Sequence, residues 1–199
     1  PFLNVQSLPL TVHFTLSTRN AMVLMLILAV CKGIGVAVLL LFLGDFFSTF
    51  FYHVPEHIFG KFHALVHHSN NRSFLHYAVL TRNPLVLIDG LLGALPYFIF
   101  IPWLWRLSPW GTILGLLLGE LHVIWRHVSV MDWQTPPKLL RLCNSLQITT
   151  PERHWLHHQD ARVAFGDIFN FFDPPAQWWL KQLTFVKYKL KASHSLGNS

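Results

Sequence analysis

The sequence has little charge, and acidic residues are its scarcer kind. Only 12% of the 199 residues are charged, about half the share of an average soluble domain, and 9 acidic residues face 15 basic ones. Apolar side chains make up 52% of the chain, with 17 Phe and 8 Trp. This balance excludes an ordinary soluble domain and predicts an integral membrane protein. In a membrane protein, a net charge of +6 is explained by Lys and Arg in cytoplasmic loops and near anionic lipid headgroups. We therefore expect no nucleic-acid partner.

Cysteine is also scarce. Cys31 and Cys143 are the two in the chain, and they form no CxxC motif. The sequence therefore predicts neither a disulfide framework nor a thiolate metal site. It also lacks a GxGxxG motif, a P-loop and a haem-attachment motif, so no fused electron-carrier domain is expected. The length suits one domain, which we take as residues 1–199.

The first apolar region allows two interpretations, because Lys32 interrupts it. One is a single span over about 21–43 with Lys32 near its middle. The other is a span over about 33–54, preceded by a short or broken segment. A lysine at mid-membrane costs about 2.5–3.5 kcal/mol or more, which favours the second interpretation. It places Asp45 inside the span.

Two further apolar segments predict a helical hairpin. Residues 84–105 form one span, which Pro96 and Pro102 should kink or shorten. Residues 112–130 return after a tight turn at 106–111. The predicted fold is all-α: a membrane helical bundle of about three to four transmembrane helices with a histidine-rich helical cap. Lys and Arg concentrate in the 55–83 loop and after residue 131, so the positive-inside rule places that cap on the cytoplasmic face.

Histidine is abundant instead, with 13 in the chain. Ten of them fall into four groups with short spacings: His53 and His57; His63, His67 and His68; His122 and His127; His154, His157 and His158.

The spacings predict shared helix faces. Residues at i, i+3 and i+4 lie on one face, so His154, His157 and His158 should project together from a helix that Thr150 caps and Pro151 begins. His63 and His67 share a face in the same way. Pro55 lies between His53 and His57, and we expect one helix to end at His53 and the next to begin at His57. His122 and His127 are five apart and converge only if their helix is distorted.

So many imidazoles together favour a metal site. Clustered imidazoles repel one another when protonated and lose hydration when buried, and a shared metal ion removes both costs. Eight to ten ligands suit two ions, and an all-imidazole set fits Fe, Zn, Cu or Ni. The segment "HVPEH" also matches the H-x-x-E-H motif of some zinc peptidases. That motif requires an unbroken helix, which Pro55 opposes, and it leaves eight clustered histidines unexplained.

Together these motifs resemble the fatty acid hydroxylase / sterol desaturase superfamily, with similarity over roughly residues 35–180. "LLLFLGDFFSTFFYH" is similar to the family's span with an Asp, an aromatic run and the first histidine. "KFHALVHHSNN" and "TPERHWLHHQD" resemble its second and third histidine boxes, and "FGDIFNFFDPP" resembles its closing stretch. The chain departs from the family at Asn83, where a histidine is common, at Ala164 and Phe165, where Asn-Tyr is common, and at Pro55.

The resemblance implies an integral-membrane enzyme with two iron ions that uses O₂ to hydroxylate or desaturate a lipid C–H bond. Electrons would come ultimately from NAD(P)H, through a separate ferredoxin or small haem protein. It implies all ten grouped histidines as iron ligands, and four carboxylates that orient imidazole N–H groups from behind: Asp45, Glu120, Asp160 and Asp167. The membrane would be the endoplasmic reticulum or the bacterial inner membrane.

Two other classes stay open. A bis-histidine haem protein of the membrane would carry electrons, but it leaves the adjacent pairs His67/His68 and His157/His158 without a purpose. A catalytically inactive, metal-binding relative would keep the fold without turnover.

Overall fold

The computed structural model of the chain describes residues 10–60, 62–68 and 84–196. These residues form a bundle of α-helices, with one isolated β-bridge between Ile148 and Phe169 and no strand in the described part. The all-α expectation is confirmed. The helices are α1 (Leu10–Ser48), α2 (Val54–Phe59), α3 (Phe62–His67), α4 (Pro84–Leu107), α5 (Pro109–Arg126), α6 (Pro137–Leu146), α7 (Pro151–Gln159) and α8 (Asp173–Leu196), with a π-helical turn at Thr49–His53 and a 3₁₀ turn at Asn170–Phe172.

The first helix is longer than the sequence predicts. The expected break before residue 33 is wrong, because α1 runs without interruption from Leu10 to Ser48. Lys32 is exposed on this helix, and a long lysine side chain can carry its ammonium away from apolar surroundings. A single exposed lysine therefore does not have to end the helix.

Two described helical segments are long and apolar enough to cross a membrane, Arg19–Phe59 and Leu85–Leu107. Large apolar side chains are exposed along both of them, including Leu26 and Leu91. Such exposed apolar surface suits contact with lipid, because a soluble protein would bury it. α5 is 18 residues long and carries Glu120, His122 and Arg126. α5 is not among the candidate spans. The described residues thus provide two candidates, fewer than the three to four transmembrane helices predicted.

The two successive helices of the predicted hairpin are present, and the turn between them is shorter than the expected 106–111. α4 ends at Leu107 and α5 begins at Pro109, and the side chain of Ser108 accepts a hydrogen bond from the N–H of Gly111 at 3.2 Å. α4 continues for 24 residues through Pro96 and Pro102, so the expected shortening does not occur.

Small residues allow α1 and α5 to pack with their backbones close together. A Cβ atom at Gly111 would lie 2.4 Å from the carbonyl oxygen of Gly33, and one at Gly115 would lie 3.1 Å from the backbone of Ala37. Further along α1, Leu40 packs with Val36 and Leu104 in a small buried cluster. This packing fixes α5 against the half of α1 that leads to the histidines.

Gly111→Ala is therefore expected to destabilise the bundle by about 1–3 kcal/mol, because the added methyl meets rigid backbone. Gly90→Ala on α4 is the matched control, since a Cβ atom there meets nothing within 4 Å. The control should be neutral or stabilising by up to about 1 kcal/mol, the difference in helix propensity. Thermal unfolding in detergent measures both, and equal midpoints for the two variants would contradict this packing.

Candidate metal centre

Five parts of the fold bring nine histidines together beyond the end of α1. His53 ends the π-helical turn, His57 lies on α2, His63 and His67 lie on α3 with His68 just after it, and His127 follows α5. α7 contributes the other three. Thr150 caps α7 by accepting from the N–H of Arg153, and Pro151 is its first residue, as the sequence predicts. The i, i+3, i+4 spacing therefore places three imidazoles of α7 at one site.

The nine imidazoles form two adjoining groups. The first consists of His53, His57, His63, His68 and His157, and the second of His67, His127, His154 and His158. Within each group the ligand nitrogens lie within 4.8 Å of one another. The groups share a boundary, where the rings of His63 and His67 stack with centroids 4.6 Å apart and those of His68 and His158 lie 4.9 Å apart.

Backbone carbonyls fix the proton positions on three of these rings. Nδ1 of His53 faces the carbonyl of Phe165 at 3.1 Å, that of His157 faces Val163 at 2.7 Å, and that of His127 faces Val123 at 2.7 Å. A carbonyl oxygen only accepts, so each Nδ1 donates its proton. In the neutral ring Nε2 then carries a lone pair.

Those lone pairs point at one another. Nε2 of His53 lies 2.8 Å from Nε2 of His157, and neither atom has a proton to donate to the other. In the second group, the lone pair on Nε2 of His127 faces Nε2 of His154 at 3.1 Å and that of His67 at 3.2 Å. Converging lone pairs repel each other, whereas a cation bound between them attracts both.

The spacing is that of ligands on a common metal ion. The closest Nε2···Nε2 distances in the two groups run from 2.8 Å to 3.4 Å. Two nitrogens bound at about 2.1 Å to one ion lie about 3.0–3.4 Å apart at octahedral to tetrahedral angles. Within the described residues, Nε2 of His63 and His68 and Nδ1 of His158 are buried without a hydrogen-bond partner. The residues therefore fit two metal ions, one for each group.

Burial also keeps the imidazoles neutral, as metal ligands must be. Loss of hydration, with repulsion from neighbouring histidines, lowers the pKa of His158 to about 3 and that of His68 to about 4. The same two causes hold the pKa values of His154 and His157 well below the usual 6.5. The centre can thus take up cations at neutral pH without first releasing protons from these rings.

These shifts predict that the metal-free protein loses stability in acid. Below about pH 6.5 the unfolded chain binds protons on these histidines, and the folded chain does not do so until the pH nears 3 to 4. The free energy of unfolding should therefore fall as the pH drops through that window. The midpoint of thermal unfolding of the metal-free protein at about pH 7.5 and about pH 5 tests this. A midpoint that is equal or higher in acid would contradict it, and His158→Asn should reduce the difference.

Pro55 does not separate the first two histidines in space. Ser48, His53 and Val54 all have right-handed helical dihedrals, and the wider π-helical turn leads directly into α2 with Pro55 in its first turn. One helical element does end at His53, as expected, but the next begins at Val54 and not at His57. The nitrogens of His53 and His57 both reach Nε2 of His157. Proline lacks an N–H, and a π-helical turn before it accommodates that loss.

The zinc-peptidase interpretation of "HVPEH" has no support in this geometry. The carboxylate of Glu56 accepts hydrogen bonds from the backbone N–H groups of Phe62 at 2.8 Å and His63 at 3.3 Å. It therefore caps the start of α3. A Cβ atom at Gly60 would collide with this carboxylate at 2.1 Å, so the glycine leaves room for the cap.

Three of the expected site residues lie elsewhere. Nε2 of His122 donates to the carbonyl of Thr149 at 2.8 Å, and His122 belongs to neither group, because five-residue spacing turns it away from His127. Glu120 is exposed, and no hydrogen bond or ion pair joins it to a described histidine. Asp160 pairs with Arg162 at 2.8 Å and likewise orients no imidazole. His122 was expected as a metal ligand, and Glu120 and Asp160 were expected as carboxylates that orient imidazoles.

Asp45 acts on the site through the backbone. Its carboxylate is fully buried and accepts from the N–H groups of Asp167, Ile168 and Phe169 at 2.9, 2.9 and 2.6 Å. It thereby holds the loop that contains Phe165, whose carbonyl orients the imidazole of His53. The expectation that Asp45 itself orients an imidazole is corrected, because the loop stands between them.

Asp167 stands next to His53 and also joins two helices. Its carboxylate accepts from the hydroxyl of Ser48 at 2.9 Å and pairs with Arg126 at 2.7 Å. It lies 3.8 Å from Nδ1 of His53, beyond hydrogen-bond distance. Asp167 therefore lies behind a candidate ligand, as expected, but it makes no hydrogen bond to that imidazole.

Asp89 is the functional residue that the sequence interpretation missed. Its carboxylate accepts from Nδ1 of His63 at 3.1 Å and from the hydroxyl of Tyr52 at 2.6 Å, and it lies 3.8 Å from Nδ1 of His67. One carboxylate therefore faces one histidine of each group. The signal was present, since "PLVLIDGLL" places a lone carboxylate in an apolar span.

Asp89→Asn is expected to weaken metal binding by about 10–100-fold, the usual effect of losing a carboxylate behind a ligating histidine. Competition with a chelator measures the affinity. Asp132→Asn, a change at an exposed aspartate, is the control and should leave it unchanged. Equal affinities for the two variants would remove Asp89 from the centre.

Two departures from the family pattern have different outcomes. Asn83 lies outside the described residues. Ala164 has φ 54°, a left-handed conformation that Asn adopts more readily than Ala. Phe165 is fully buried, and its ring packs 5.1 Å from that of His157. The closing stretch thus lies beneath the histidines, as the resemblance implies.

Comparison with known proteins gives one match. The sequence model described as fatty acid hydroxylase matches residues 37–175, which is more than half of the chain and includes all nine histidines of the two groups. No curated protein and no solved structure matches the chain significantly.

Proposed function

This chain belongs to the fatty acid hydroxylase family, and on that premise we propose that it is an O₂-dependent di-iron oxidoreductase that hydroxylates or desaturates an unactivated C–H bond of a lipid. The observation that carries the proposal is the pair of adjoining imidazole groups, whose Nε2 lone pairs converge at metal-ligand spacing. Fe, Zn, Cu and Ni all accept such donors, and family membership favours iron.

When bound, the irons would supply O₂ activation. Hydroxylation consumes R–H, O₂, two electrons and two protons and gives R–OH and water; desaturation gives an alkene and two waters. The chain's own residues hold the ligands in register: the carbonyls of Phe165, Val163 and Val123 and the carboxylate of Asp89 each fix one imidazole. The fully buried Phe165 keeps water from that side of the centre.

The exposed apolar surfaces of α1 and α4 suit a lipid substrate that enters from the membrane. Basic residues after position 131 favour placing the histidine centre on the cytoplasmic face, of the endoplasmic reticulum or of a bacterial inner membrane. The electrons would come from NAD(P)H through a separate carrier. Substrates in keeping with the proposal are sterols, fatty acyl chains, sphingoid bases and carotenoids.

A haem electron carrier fits the geometry less well. The two axial nitrogens of a bis-histidine haem lie on opposite sides of the iron, about 4 Å apart, with the macrocycle between them. The closest Nε2 separations, 2.8–3.4 Å, are shorter and are shared among several rings. Ligands side by side on one ion have such separations.

Metal analysis of detergent-purified protein, grown with ample iron, tests the proposal together with a visible spectrum. Two irons per chain without a Soret band are expected, followed by product carrying ¹⁸O from ¹⁸O₂ in a lipid screen. A Soret band would identify a haem carrier instead. Zinc alone, or iron without turnover on any lipid class, would contradict the proposal and indicate an inactive, metal-binding member of the family.

A further inference from the structure

A groove of about 590 Å³ lies along the outer side of α8, between that helix and Arg162. Its lining combines cationic and aromatic side chains: Arg162, Lys181, Phe185, Tyr188 and Lys189. Phe185 and Tyr188 are 57% and 78% exposed. Aromatic residues and arginine are enriched at protein-binding sites.

The groove has an uncompensated positive charge. After Asp173 at its start, α8 contains no acidic residue but four lysines. Among the described residues, no carboxylate forms an ion pair with Lys181 or Lys189, and the ammonium of Lys189 lies 4.7 Å from the centre of the Phe185 ring. Arg162 does pair with Asp160. The surface is therefore complementary to an acidic partner.

The direction of α8 brings three of the nine residues that line the groove, Tyr188, Lys189 and Ala192, past the end of the longer candidate span. Nε1 of Trp179 donates to the carbonyl of Phe50, and Nζ of Lys187 donates to that of Ile58. Both pairs are eight residues apart, so α8 runs parallel to the end of the span, which stops at Phe59. The part of α8 that follows Lys187 continues beyond that end. This end of the groove lies outside the candidate span, where a water-soluble partner can reach it.

The groove is also close to the metal centre along the chain. Arg162 precedes Val163, whose carbonyl accepts the Nδ1 proton of His157 at 2.7 Å. On the other side, Ala176 of α8 packs against Phe165, whose ring contacts His157. Arg162, which lines the groove, is thus the residue before the one whose carbonyl holds a ligand of the first group.

We infer that this groove is the docking site of a small, acidic, one-electron-transfer protein. The inference rests on the proposed function, which needs two electrons for each turnover from outside the chain. The carrier docks twice, loses one electron each time and is re-reduced elsewhere. Two irons held by the two imidazole groups would take up these two electrons, one each, before O₂ is consumed.

Charge reversal on α8 tests the inference. The double variant Lys181→Glu/Lys189→Glu is compared with the control Lys138→Glu/Arg141→Glu, which makes the same change of charge at exposed positions of α6. The probe is an acidic plant-type [2Fe–2S] ferredoxin, reduced by its NADPH reductase and mixed in stopped flow with the iron-loaded, detergent-purified enzyme. The groove variant should be reduced about tenfold more slowly, and the control less than about twofold more slowly. The wild-type rate should fall as salt is added.

A chemical reductant separates this inference from the proposed function. Reduced methyl viologen needs no docking site, so it should reduce all three proteins at the same rate. If neither viologen nor ferredoxin delivers electrons, the proposed function fails. If viologen reduces the wild type and ferredoxin does not, or if both charge variants slow equally, the docking site is overturned.

A membrane role of the groove is a separate outcome. Co-flotation with phosphatidylcholine vesicles, with and without phosphatidylserine, measures it. Weaker flotation of the groove variant with phosphatidylserine vesicles, combined with unchanged reduction by ferredoxin, would make the groove a lipid surface and overturn the inference.

Discussion

Replacement of His157 by alanine should remove at least one of the two metal ions and lower turnover by more than about 100-fold. The side chain of His157 is completely buried, and its Nε2 lies 2.8 Å from Nε2 of His53 and 3.1 Å from that of His57. Without its imidazole, the first group loses the ring that joins two of its other members. Metal content per chain, measured with turnover on the same sample, checks the result.

His122→Gln is the control for this experiment. Glutamine retains a donor for the carbonyl of Thr149, and His122 lies outside both imidazole groups. We expect two metal ions and at least half of the wild-type turnover, with the helical circular dichroism of both variants unchanged. Loss of metal from His122→Gln would restore His122 to the ligand set, and full metal content in His157→Ala would refute the first group as described.

The second large effect is expected from Asp45→Ala. Three backbone N–H groups and the hydroxyl of Thr49 would lose a buried acceptor at once. Each buried donor left unpaired costs about 1–3 kcal/mol, so we expect a loss of at least about 3 kcal/mol in the free energy of unfolding. The loop that carries Phe165 should also move, and metal should leave the first group before the second.

Thr49→Val provides the matched control for Asp45. It removes one hydroxyl donor, 3.0 Å from the same carboxylate, and keeps the three backbone contacts. The expected cost is about 1 kcal/mol with unchanged metal content. Denaturant unfolding in detergent, with metal analysis, compares the two. An Asp45→Ala protein as stable as Thr49→Val would show that the loop is held by something else.

Local spacing made much of the centre predictable. The three histidines of α7 and the pair His63 and His67 project together because i, i+3 and i+4 positions share a helix face whatever the rest of the fold does. Thr150 and Pro151 begin α7 for equally local reasons. The all-α fold and the apolar helices likewise follow from composition and from the length of apolar runs.

Contacts between elements were not predictable in this way. His67 and His68 are neighbours in sequence, yet they enter different groups, because successive residues on a helix point about 100° apart and metal-sized spaces lie on both sides. His122 was expected as a ligand beside His127, but the five-residue spacing turns it away, and its Nε2 donates to the distant carbonyl of Thr149. The length of α1 also depended on which face of the helix carries Lys32.

The sequence by itself determined the kind of donor atoms, their placement on short helices and the apolar surroundings, because each depends on residues close together in the chain. The tertiary structure alone decided which nitrogen of each imidazole faces inward, since that depends on distant acceptors: the carbonyls of Phe165 and Val163 and the carboxylate of Asp89. It also decided that Asp45 acts through a loop more than 120 residues away. Burial against a partner far along the chain cannot be inferred from periodicity, and it is such burial that turns clustered histidines into two sets of converging lone pairs.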